Sequence, residues 1–194
     1  MEIIIHRVNK IQKLKKIDQK YGVEIDIRAL GSELILNHEP FKEGEKLIDY
    51  LDEYNHGTLV LNVKEDGIEE NILQMVKQRS QIKSFFLLDV EFPYLYRESR
   101  KGEKNIAVRF SEDESIETVK NYVGMVDWVW IDTNTKMPIS NNNKNILKNF
   151  KNCLVCPERW GRPYDIKMYK QKLDSIGFVL DSVMTSLDCK SYWE

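Results

Sequence analysis

An α/β fold of the (β/α)8 barrel type is the class this sequence predicts. Short apolar, β-branched runs recur along the whole chain, and the stretches between them carry a helical apolar period. No linker or composition break interrupts the 194 residues, so a single compact domain spanning 1–194 is expected.

The runs are Ile3 to His6, Val23 to Arg28, Thr58 to Asn62, Ser84 to Leu88, Ile106 to Phe110, Trp128 to Asp132, Cys153 to Cys156 and Phe178 to Leu180. Their starts lie about 20–35 residues apart, the repeat of one strand, one helix and two loops. Between them, Ile11, Leu14 and Ile17 predict a first helix whose Lys13, Lys15 and Lys16 form a solvated face. Phe41 to Tyr54 reads as the second helix. Ile68, Ile72 and Val76 mark another, and Met168, Tyr169 and Leu173 mark the last. Ser111 and Ser115 stand where a helix start would be capped. Leu34 to Leu36, after Gly31-Ser32, is an extra run that predicts a hairpin-like extension. The polar stretch Asn141 to Asn145 predicts a surface turn opening the sixth helix.

Composition narrows the function classes. Lys and Arg total 29 against 31 Asp and Glu, a net charge of -2, which argues against a nucleic-acid-coating protein. No apolar run approaches the roughly 20 residues of a membrane span. The start, Glu2 to Ile5 followed by His6-Arg7, has no signal-peptide pattern, so a cytoplasmic location is expected. Cys153 and Cys156 have a Cys-x-x-Cys spacing, but residues three apart on a strand point to opposite faces. Ordinary buried cysteines are expected there.

In such barrels, reactive groups collect at the C-terminal ends of the strands. Strand one ends in His6-Arg7, strand two carries Glu24-Ile25-Asp26-Ile27-Arg28, the extension ends in Asn37-His38-Glu39-Pro40, and strand three ends in Asn62-Val63-Lys64. Glu24 and Asp26 are two apart and share a strand face, where two carboxylates repel unless a cation lies between them. Oxygen ligands of this kind suit Mg²⁺ or Ca²⁺. Arg28 continues on that face and is expected to neutralise part of the charge. Two of the three histidines, His6 and His38, fall at these mouth positions, a plausible acid and base for phosphoryl chemistry.

This constellation resembles the glycerophosphodiester phosphodiesterase family among the phospholipase C-like barrels. The resemblance rests on His6-Arg7, Glu24-x-Asp26-x-Arg28, a Gly31-containing turn and Leu36-Asn37-His38, in the family's order. It implies His6 and His38 as general acid and base, Arg7 on a phosphate oxygen, and Glu24 and Asp26 as metal ligands. The implied reaction is phosphodiester cleavage, commonly through attack by a neighbouring substrate hydroxyl.

Three departures stand out. The family's third carboxylate ligand, two residues before Lys64, is replaced by Asn62, whose amide oxygen brings no charge; Asp89 or Glu91 would have to compensate. The residue after His38 is Glu39 instead of Asp, and the family's frequent small insertion before strand three is missing, leaving a more open site.

Further round, Arg109, Trp130, Asp132, Glu158, Arg159 and Trp160 stand at or just past strand ends and suit an anionic, ring-bearing ligand. Together these residues predict a divalent-metal phosphodiesterase acting on a small or saccharide-linked phosphodiester. The resemblance and the strand-end positions imply His6 and His38 as its catalytic residues, Glu24, Asp26 and Asn62 as its metal ligands, and Arg7, Lys64, Arg109, Trp130 and Arg159 as its substrate contacts. The alternatives are a metal-independent barrel forming a cyclic product, and a degenerate barrel that binds a phosphorylated ligand or protein partner without turnover. Tyr192 and Trp193 are read as a cover for the barrel or as a dimer contact; no oligomeric state follows from the sequence.

Overall fold

The computed structural model describes residues 1–194. The chain divides into two compact units, Ile4–Tyr94 and Leu95–Glu194, the latter together with Met1–Ile3.

The unit Ile4–Tyr94 takes in the end of β1 (Glu2–Ile5), α1 (Ile11–Leu14), β2 (Gly22–Leu30), β3 (Glu33–Leu36), β4 (Glu45–Lys46), α2 (Leu47–Glu53), β5 (Leu59–Val63), α3 (Glu69–Lys77) and β6 (Phe85–Leu88). Four strands run parallel in the order β1-β2-β5-β6, with Ile5 opposite Val23, Asp26 opposite Asn62 and Asn62 opposite Leu88. Along β2, Val23, Ile25 and Ile27 are fully buried and alternate with Glu24, Asp26 and Arg28. Alternation on a strand sends these two sets to opposite faces, so the apolar set fixes where the carboxylates point. A one-residue slip would exchange the two buried faces and put the carboxylates among the apolar packing, which ties the register to burial.

The expected extension is present. The far end of β2 turns at Gly31, whose φ of +63° suits glycine, and pairs antiparallel with β3, which in turn pairs with β4. A Cβ on Gly44 would lie 2.3 Å from the Leu36 carbonyl oxygen, so the chain returns tightly against β3. Residues 41–46 are therefore spent on a loop and a short strand, and the second helix covers only Leu47–Glu53 instead of the predicted 41–54. The first helix is likewise a single turn, although Leu14 and Ile17 are both buried as their spacing predicted.

After α4 (Phe92–Arg100), the other unit holds β7 (Ala107–Phe110), α5 (Ile116–Lys120), β8 (Trp128–Ile131), α6 (Lys144–Leu147), β9 (Lys151–Val155), α7 (Asp165–Ile176) and β10 (Ser182–Thr185). These strands are parallel in the order β7-β8-β9-β10. The Ser115 hydroxyl caps α5 by accepting the Glu117 N–H, as expected.

The last strand is displaced from its predicted position at 178–180. Gly177 has a φ of +64°, its N–H donates to Asp174, and the N–H of Phe178 reaches back to Leu173. This is a Schellman end, in which the apolar residue after the glycine packs on its own helix. Phe178 is buried for that reason, and the true strand starts at Ser182. The strand's hydroxyls are satisfied internally, with Ser182 donating to the Asn152 carbonyl and Thr185 to Glu158.

Candidate active site

Within the unit Ile4–Tyr94, the C-terminal ends of β1 and β5 and the first half of β2 bring His6, Arg7, Glu24, Asp26, Asn62 and Lys64 together. Glu24 and Asp26 are buried at 1% and 0% exposure. Glu24 is held by three groups: its Oε2 accepts the Arg7 N–H at 2.7 Å and lies 3.8 Å from His6 Nε2, and its Oε1 accepts the Asn62 amide at 2.9 Å. Burial pushes its carboxyl up to about 7, with Asp26 adding to the shift; the bonds from Asn62 and Arg7 and the charge of Lys64 oppose it.

Asp26 is framed by cations. Arg7 Nε stands 3.4 Å from its Oδ2 and Lys64 Nζ 3.4 Å from its Oδ1, while Lys64 also lies 3.5 Å from Asp89. Asn9 locks the same residue from the loop, donating its amide to Oδ2 and accepting the Asp26 N–H, both at 2.8 Å. Asp89, suggested by the sequence as a compensating carboxylate, is thus a partner of Lys64.

His38 sits on the loop after β3, with Nδ1 2.6 Å from Glu39 Oε1. That bond holds the Glu39 carboxyl below its ordinary range. Arg28 does not serve the Glu24–Asp26 pair as the spacing suggested. Its Nε and Nη2 donate to the His38 carbonyl at 3.1 and 2.9 Å, and Nη1 reaches the Lys64 carbonyl and Glu65. Glu65 completes this arrangement by accepting the Ala29 N–H. Same-face spacing located the Arg28 Cα but not the end of its long side chain, which reaches the His38 and Lys64 carbonyls.

Backbone conformation marks the same region. The non-glycine residues with positive φ are Arg7 at 53°, Phe41 at 59° and Asp89 at 59°, in the loops after β1, β3 and β6. Such conformations are costly for side-chain-bearing residues and cluster at functional sites.

The donor set fits a hard cation in part. Asp26 Oδ1 and Asn62 Oδ1 are buried oxygens without a hydrogen-bond partner, and carboxylate and amide oxygens are the donors Mg²⁺ and Ca²⁺ prefer. The set is two carboxylates and one amide; no group of three His, Cys, Asp or Glu side chains converges on one point.

The remaining predicted residues lie in the other unit. Arg109 donates to Asp132 and, at 2.9 Å, to Glu114. Trp130 is buried, and Arg159 is exposed on the turn Pro157–Trp160. Glu158 accepts the Thr185 hydroxyl and the Ser186 N–H. Trp193 is buried with its indole N–H donating to Cys156 Sγ at 3.2 Å, whereas Tyr192 is exposed. Cys153 and Cys156 are free and buried, and their thiols are pushed up to about 12, chiefly by burial. Asn9 and Glu65 had no signal in the sequence beyond being polar residues near strand ends.

No protein-family model and no curated protein matches the sequence. Solved structures do. One, from Agrobacterium tumefaciens str. C58 and named as a glycerophosphodiester phosphodiesterase, superposes with a TM-score of 0.69 at 12% identity, covering 97% of this chain and 98% of its own. The chain has the glycerophosphodiester phosphodiesterase fold. A second structure from the same organism, named as a glycerophosphoryl diester phosphodiesterase, gives a TM-score of 0.66 at 8% identity over 95% of this chain and 93% of that one. The glycerophosphodiester phosphodiesterase fold is an α/β TIM barrel, the class the strand rhythm predicted. In this version of it, the residues between His38 and β5 form only a loop, β4 and α2. No helix is long and apolar enough to cross a membrane.

Proposed function

We propose that this chain is a phosphodiesterase in which His6 and His38 exchange protons with the substrate. The observation that carries the reading is the cluster His6–Glu24–Asn62, joined to Arg7, Asp26 and Lys64, at strand ends of a phosphodiesterase-type barrel. Barrel strand ends are where such folds carry out their chemistry.

The geometry supports the following roles. Glu39 orients the His38 ring through Nδ1, leaving Nε2 to exchange a proton with a substrate oxygen. Arg28 fixes the backbone of the same residue. His6, 3.8 Å from Glu24 at the end of β1, is the residue assigned to give a proton, and His38, oriented by Glu39, the one assigned to take it. A substrate hydroxyl next to the phosphorus loses its proton to His38 as it attacks. The leaving alcohol receives one from His6, and a cyclic phosphodiester results. Hydrolysis of that ring by water reverses the two roles. Arg7 and Lys64 are the cations that meet the phosphate oxygens.

Glu24, Asp26 and Asn62 are the residues that would hold Mg²⁺ or Ca²⁺. Such an ion, when bound, offsets charge developing on the phosphoryl oxygens. The substrate class is a small or saccharide-linked phosphodiester.

The test is hydrolysis of 2-hydroxypropyl p-nitrophenyl phosphate, which carries a neighbouring hydroxyl, with Mg²⁺, Ca²⁺ or Mn²⁺ and then with chelator. Turnover that is lost on chelation and in His6→Ala supports the reading; turnover equal in wild type and His6→Ala removes it. The second reading, a barrel that binds a phosphorylated ligand without turnover, is favoured by one observation: Asn62 spends its amide on Glu24 at the position where a third charged ligand would stand. No hydrolysis, together with measurable binding of a phosphate monoester, selects that reading.

A further inference from the structure

The loop that carries His38 also builds a second feature. Arg28, Leu30 and Ile35 from the β2–β3 hairpin, Phe41 and Lys42 from the loop, and Glu65 line a cavity of about 450 Å³. Its apolar rim is open to solvent: Phe41 is 99% exposed and Leu30 48% exposed. Phe41 also holds a φ of +59°, a conformation that glycine or asparagine adopts at far lower cost. Folding therefore does not account for this side chain, which with the exposed Leu30 forms an apolar rim beside the cavity.

Charge and position indicate the ligand. Glu65 is already engaged by Arg28 and by the Ala29 N–H, which leaves Lys42 as the uncompensated charge of the wall. A cationic alcohol is disfavoured there, whereas an anionic phosphodiester with an apolar substituent matches both rim and charge. Arg28 is a wall of this cavity and also grips the His38 carbonyl, so the cavity adjoins the backbone of the proposed proton-exchanging residue.

We propose that this cavity is a subsite for the apolar alkyl or aryl substituent on one ester oxygen of the substrate phosphodiester, with Phe41 and Leu30 as its specificity-determining residues. The inference rests on the phosphodiesterase reading, and it narrows the substrate class to diesters carrying such a group.

Alkyl methylphosphonate monoanions, which lack the neighbouring hydroxyl that the proposed attack needs, from ethyl to octyl and below their micelle concentrations, test it by calorimetric binding. Wild type should bind the octyl ester roughly tenfold or more tightly than the ethyl ester, since each methylene that leaves water adds to affinity. Phe41→Ser and Leu30→Ser should flatten that gradient, and Phe41→Tyr should keep most of it. Phe41 makes no buried contact, so its variants test the subsite without testing the fold. A flat gradient in wild type, no binding of any ester, or an unchanged gradient in both serine variants would overturn the subsite. A gradient that appears only with anionic phospholipid vesicles would overturn it as well and assign the rim to a membrane surface. Because the readout is binding, a normal gradient in a protein that hydrolyses nothing would retain the subsite and reject the phosphodiesterase reading instead.

Discussion

The Asn62 amide donates to Glu24 Oε1 at 2.9 Å, joining β2 to β5 through side chains at a position buried on both strands. The contact supplies a hydrogen bond without a charge. It leaves Asn62 Oδ1 as a buried oxygen with no donor.

Replacing this amide by a carboxylate changes cation affinity. Asn62→Glu is expected to raise Ca²⁺ or Mn²⁺ affinity at least tenfold in calorimetric titration, because a third charged oxygen ligand joins the set. The same variant should be less stable without metal, since three buried carboxylates then repel one another. Equal affinities in the two proteins would show that position 62 does not face the ion.

Stability should depend on pH through Glu24. Its carboxyl is raised to about 7 in the folded protein from an ordinary 4.5. The folded state therefore holds a proton that the unfolded state has lost between those values, and stability falls as pH rises from about 4.5 to about 7. The penalty is fully present above that range and is of the order of 3 kcal/mol. Glu24→Gln should flatten this part of the urea-unfolding profile and also weaken metal binding; an unaltered profile would mean that Glu24 is ionised at no cost.

His6→Ala and His38→Ala should each lower turnover by about 10²–10⁴-fold. Neither ring is part of the apolar core, so thermal unfolding should stay close to that of wild type. Full turnover in both variants would reassign the proton exchange.

Lys64→Met removes the cation shared by Asp26 and Asp89. Asp26 is fully buried but keeps Arg7 and Asn9, so the expected loss is about 1–3 kcal/mol of stability, less than that of stranding a buried charge outright. Equilibrium denaturation measures it, and a loss under ~1 kcal/mol would show that Arg7 and Asn9 suffice to hold Asp26.

A thiol-specific chromogenic reagent at pH 8 should label one cysteine per native chain. Cys153 and Cys156 are buried with thiols near 12, whereas Cys189 is partly exposed. Fast labelling of two or more would indicate that the region around Cys156 and Trp193 opens readily.

Much of this was legible in the sequence because burial has a period. The alternation of Val23, Ile25 and Ile27 with Glu24 and Asp26 gave both a strand and the face its carboxylates share. His6 and Asn62 then followed from being at the ends of neighbouring strands. What periodicity does not encode is where loops and long side chains finish. Arg28 lies on the predicted face yet reaches the His38 carbonyl, and Asn9 reaches Asp26 from a loop with no repeat. Phe178 shows the converse error, since an apolar residue that packs back on a helix end reads from sequence as the start of a strand. The expected helix over 41–54 failed for a steric reason, the close approach of Gly44 to β3.

That close approach has an evolutionary consequence. The Asn37 side chain donates to the Glu43 carbonyl, and Gly44 rests against Leu36, so the loop bearing His38 is fastened at its base like a handle on a drawer. Its length can vary without disturbing what lies beneath, because doubling a fastened loop costs only about 0.6 kcal/mol of closure entropy. Residues can then be added to or removed from this loop at little cost to the strands on which it stands.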